Sequence, residues 1–75
     1  MTPHEFYKIK SDELQNVYDN LSQSIDSISW LTGHENESSG GDSSELISIL
    51  ERTEALARDV DSLIEAVNVL RDASE

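Results

Sequence analysis

The sequence predicts an all-α protein: an antiparallel two-helix hairpin, coiled-coil-like, that pairs into a four-helix bundle as a homodimer. Three observations carry the prediction. Between Leu46 and Leu70 an apolar or near-apolar residue returns at alternating steps of three and four, the seam of a helix that packs on another helix. A stretch without apolar residues, Gly33 to Ser43, separates it from a second striped stretch nearer the N-terminus. The C-terminal stripe is also broader than one partner helix can cover, which calls for a bundle.

Helix 1 is expected over about residues 3–32. Thr2 suits the cap, Pro3 the first helical position, and Glu5 stands three residues after the cap, completing a capping box. Its stripe runs through Phe6, Tyr7, Leu14, Val17, Tyr18, Leu21, Ile25, Ile28 and Leu31, and Ser11 interrupts the heptad seam. Ser, Asn and Asp are frequent and have modest helix propensity, so helicity there must come mainly from packing. The end is placed near Thr32 and Gly33, because glycine is the usual left-handed residue after a helix.

A flexible, acidic Gly/Ser loop is expected over about residues 33–43, and Asp42 with Glu45 offers a second capping box for helix 2, over about 44–73. One seam column holds Leu46, Thr53, Val60 and Val67, and its partner column holds Ile49, Leu56, Leu63 and Leu70. Leu50, Ala57 and Ile64 recur beside them and broaden the stripe. An antiparallel register with paired numbers summing to 74 sets Ile28 against Leu46, Tyr18 against Leu56 and Ser11 against Leu63. A sum of 81 also matches the heptads but leaves Leu46 without a partner. Thr53, the polar residue in helix 2's seam, is a candidate for fixing register.

The 75 residues form a single helical-hairpin domain, 1–75. A chain of this size buries only about 60% of its unfolded surface, so help from self-association is expected. Cysteine is absent and histidine occurs twice, so disulfides and thiolate metal sites are excluded and a zinc cage is not expected. Sixteen acids against five bases give a formal net charge of -11, which disfavours direct binding to nucleic acid. No run is long and apolar enough for a membrane span, and no secretory signal pattern opens the chain, so a cytoplasmic location is the default.

Candidate residues fall into two sets. Leu14, Tyr18, Leu21, Ile25, Ile28, Ile49, Leu50, Leu56, Val60, Leu63, Ile64, Val67 and Leu70 form the expected core and self-association face. Trp30, Ile47, Glu51, Glu54, Asp61, Glu65 and Asp72 are the candidate partner contacts. Trp30 lies nearly opposite the middle of helix 1's stripe, and tryptophan is enriched at binding hot spots. The competing reading unwinds the helix near Ser29 and lets Trp30 cover the hairpin end. The acids, with Asp12, Asp19 and Asp26, lie outside the seam, where they either solvate the bundle or present a surface to a basic partner.

His34, Glu35 and Glu37 lack a second shell and sit among flexible neighbours, and no nucleophile motif, phosphate loop or paired metal-ligand motif occurs. No catalytic residue, metal or cofactor is therefore expected. The function expected is a small, acidic, non-enzymatic protein-binding module: a regulator, adaptor or inhibitor of an unidentified protein, with an acidic surface that imitates nucleic acid toward a basic target. By analogy such proteins suit a bacterial or phage role. The alternative is a structural assembly or chaperone subunit whose helical face is completed by a partner helix.

Overall fold

A computed structural model describes residues 1–39 and 44–74, with the side chains of residues 36–39 outside that description. Two helices make up the described chain: α1, Pro3–Ser39, and α2, Ser44–Ala73. They pack against one another as an antiparallel hairpin, with the start of α1 beside the end of α2. His4 Nδ1 lies 3.1 Å from the Arg71 carbonyl oxygen, and the Ser11 hydroxyl donates to Asn68 Oδ1 at 2.7 Å.

The first cap forms where the sequence places it. The Glu5 amide donates to Thr2 Oγ1 at 3.1 Å and the Phe6 amide to the Thr2 carbonyl at 3.0 Å. The expected stop at Gly33 does not form, and residues 33–39 of the expected loop are helical. Glycine inside a helix costs about 1 kcal/mol relative to alanine, too little to end a helix that has further interface to bury. Thr32 and Glu35 supply two more half-buried positions on the inner face, and the Thr32 hydroxyl donates to the Ile28 carbonyl at 2.8 Å. Residues 40–43, including Asp42 of the second capping box, lie outside the described residues.

The inner face of α1 follows two seven-residue columns: Tyr7, Leu14, Leu21, Ile28 and Glu35, and Ser11, Tyr18, Ile25 and Thr32, all half-buried or buried. On α2 the inner columns are Leu46, Thr53, Val60 and Val67, as expected, and Leu50, Ala57, Ile64 and Arg71. The second column corrects the sequence reading. Ile49, Leu56, Leu63 and Leu70, placed in the seam from sequence, are 41–51% exposed, whereas Ala57, Ile64 and Val67 are the buried apolar residues.

Shape complementarity gives a reason. α1 brings two tyrosines to its inner face, and a small residue opposite a ring lets the helices approach: Tyr18 shares a groove with Ala57. The polar positions add a second. Ser11, only 7% exposed, needs a partner and finds Asn68 rather than the expected Leu63. The His4–Arg71 and Ser11–Asn68 hydrogen bonds join positions summing to 75 and 79, not 74. Thr53 does not contribute to register, because its hydroxyl donates to the Ile49 carbonyl of its own helix at 2.8 Å.

The molecule is a rod of 56 × 14 × 13 Å with a radius of gyration of 17.1 Å. A compact domain of this length would measure about 11 Å. Its accessible surface of 5300 Å² exceeds the roughly 4,600 Å² expected of a compact 8.4 kDa protein. A two-helix layer has no depth in which to enclose side chains, so its interior is thin and its flanks are large.

Candidate functional site

Each helix turns by about 100° per residue, so its seven heptad columns divide into an inner face, two flanks and a back. Because α1 and α2 run in opposite directions, columns displaced in the same rotational sense from their inner faces lie on the same side of the pair. The two sides differ in chemistry.

One side is apolar. Immediately before the second inner column, α2 carries Ile49, Leu56, Leu63 and Leu70, and α1 carries Lys10, Val17, Ser24 and Leu31 on that same side. Val17 and Leu31 are exposed, as is Phe6 in the neighbouring column. The Lys10 ammonium lies 5.9 Å from the centroid of the Phe6 ring. Glu13, Glu45 and Asp59 against Lys10 and Arg52 leave this side with a formal charge of -1.

The other side is acidic. Glu5, Asp12, Asp19 and Asp26 form one seven-residue column on α1, and Glu51, Glu54, Asp61, Glu65 and Asp72 occupy two columns of α2. Against these nine acids stand Lys8 and Arg58, giving a formal charge of -7. A groove of about 220 Å³ runs along this side, with Tyr18, Ile25 and Ala57 at its floor and Glu54, Arg58 and Asp61 at its edge. Close to the rod's end, Arg71 lies 3.5 Å from Asp72. The Arg71 carbonyl meets the His4 ring, and His4 is half-buried. Acids seven residues apart are spaced by about 10.5 Å along a helix, roughly one Debye length at 0.1 M salt.

Trp30 stands on the back column of α1, 61% exposed. α1 continues past it, so it does not fold over the hairpin end. Its ring stacks on His34 with centroids 4.3 Å apart and planes 22° apart, and His34 Nδ1 lies 2.8 Å from the Trp30 carbonyl oxygen. Ile47 is exposed on the acidic side of α2 and does not share Trp30's column direction. Among the candidate contacts, the acids and Ile47 are therefore brought to one side while Trp30 stands apart.

Among the described residues no group of three or more His, Cys, Asp and Glu side chains is placed to hold a metal ion, and no helix is long and apolar enough to cross a membrane. No family model, curated protein or solved structure matches the chain. The acids and the broad stripe are legible in the sequence, but their separation onto opposite sides is not among its expectations. That signal is present in the heptad columns, and it becomes readable only once the inner columns of α2 are known.

Proposed function

We propose that this chain is a non-enzymatic protein-binding module, a regulator, adaptor or inhibitor, that works as a cytoplasmic four-helix bundle and meets a basic protein partner through its acidic side. The observation that carries the reading is the separation of charge: -7 on one side of the hairpin and -1 on the other. Charges that only kept a bundle soluble have no reason to segregate. A one-sided field orients an approaching basic surface before contact and raises its association rate.

Imitation of duplex DNA is less well supported. A duplex carries a charge about every 1.7 Å of axis, whereas nine acids over a 56 Å rod average one per about 6 Å. The partner this side suits is a basic patch on a protein.

The test is affinity capture with the wild-type chain and with Asp12→Asn/Asp19→Asn/Asp26→Asn, read by mass spectrometry over a salt series. Basic proteins retained by the wild type, released by salt and lost with the triple variant support the reading. Capture that is indifferent to both salt and the substitutions overturns it. A second reading, an assembly or chaperone subunit completed by a partner helix, is favoured by the thin interior, in which Ala57, Ile64 and Val67 are the buried apolar residues. It predicts low helicity for the isolated chain and a rise when the partner is added, read by circular dichroism.

A further inference from the structure

We infer that the apolar side is the seat of a second copy of this chain, related by a two-fold axis that crosses both helices at mid-length and stacks α2 on α2 and α1 on α1, each pair antiparallel. This deepens the bundle reading above by naming the surface and the symmetry. Charge selects the side. Two chains of net charge -11 repel, yet the apolar side contributes only -1 of that total, so copies meet there with the acidic sides turned outward. Area permits it. A side of 56 by 14 Å offers about 780 Å², and a pair covers about 1,600 Å², the size of a stable specific interface.

The columns supply the symmetry. Ile49, Leu56, Leu63 and Leu70 are centred between Asp59 and Val60, and Lys10, Val17, Ser24 and Leu31 between Asn20 and Leu21. Carried along the helices from the Ser11–Asn68 bond, Asn20 falls opposite Asp59, so the two centres lie level and one axis serves both. That axis sets Leu56 against Leu63 of the other copy and Ile49 against its Leu70. The same axis sets Lys10 against Leu31 and Val17 against Ser24 of the other copy. Stacking α2 on the other copy's α1 would instead take the all-aliphatic column off its like and set it on that mixed column.

The experiment uses the full chain. Light scattering on a sizing column across a dilution series should give twice the 8.4 kDa chain mass. Leu56→Gln/Leu63→Gln should bring it to the single-chain mass at the same concentrations. Because the chain lacks cysteine, single Leu56→Cys and Leu63→Cys chains can be mixed and oxidised. The expected product is a disulfide joining the tryptic peptide 53–58 of one chain to 59–71 of the other. Two copies of position 56 would stand about 10.5 Å apart along the helices, beyond disulfide reach, so either variant alone should cross-link poorly.

A helical wild-type monomer, a four-chain mass, or a dimer that survives the double glutamine variant overturns the inference. A self-link at position 56 as strong as the mixed link overturns the axis. If the glutamine variant unfolds, the cross-link decides. The Asp12→Asn/Asp19→Asn/Asp26→Asn chain should stay dimeric, so loss of partner capture and loss of self-association are read separately.

Discussion

At the scale of single residues, the hairpin contains one avoidable cost. Gly33 lies inside α1, and a β-carbon placed there would have nothing within 4 Å. Gly33→Ala therefore removes backbone freedom from the unfolded chain without a clash. It should stabilise the protein by about 1 kcal/mol, seen as a higher urea midpoint with an unchanged slope. Ser11 and Asn68 make the opposite case. Each occupies interface that an aliphatic residue could fill, and their 2.7 Å bond couples the helices near one end. A double-mutant cycle with Ser11→Ala and Asn68→Ala should return a coupling of about 1 kcal/mol; additive losses would mean that the bond does not contribute.

At the scale of the helices, α2 presents adjacent columns with different duties. Ile64 is buried against α1, while its neighbour Leu63 faces the apolar side and is 44% exposed. Ile64→Ala should cost about 2 kcal/mol or more of hairpin stability through the cavity it leaves. Leu63→Ala should leave the helicity of concentrated samples nearly intact and weaken self-association. Unfolding monitored at several protein concentrations separates the two, because only the second effect depends on concentration. Equal responses from both positions would reject the division of columns.

The same pair shows what could be read without the structure. The existence of both helices, the first cap and the start of α2 follow from periodicity and capping residues, which are local. Which side of the Leu46/Thr53/Val60/Val67 column turns inward is not local. Ile49, Leu56, Leu63 and Leu70 form the more apolar column, and hydrophobicity alone places them inside. The ring of Tyr18, which shares a groove with Ala57, and the need of Ser11 for a polar partner favour the other column instead. The continuation of α1 past Gly33 has the same origin, since Thr32 and Glu35 gain positions on the inner face only because α2 lies opposite.

At the scale of the whole molecule, the two sides should answer salt with opposite signs. In the proposed dimer the acidic sides face outward across two layers, each about 13 Å thick, so their repulsion acts over about 26 Å. The Debye length is about 30 Å at 0.01 M salt and about 10 Å at 0.1 M. Repulsion between copies is therefore felt at the lower concentration and largely screened at the higher. Self-association should tighten between these two salt concentrations and then level off, because the contact itself is apolar. Binding of a basic protein to the acidic side acts across a few ångströms and is screened much less at 0.1 M. It should weaken steadily as salt rises further, through the range in which self-association is flat. Sedimentation velocity on the chain alone, and on the chain with a captured basic partner, measures both responses in one buffer series. If both constants weaken together with salt, the self-contact is electrostatic, and the assignment of apolar contact to one side and charged contact to the other is wrong.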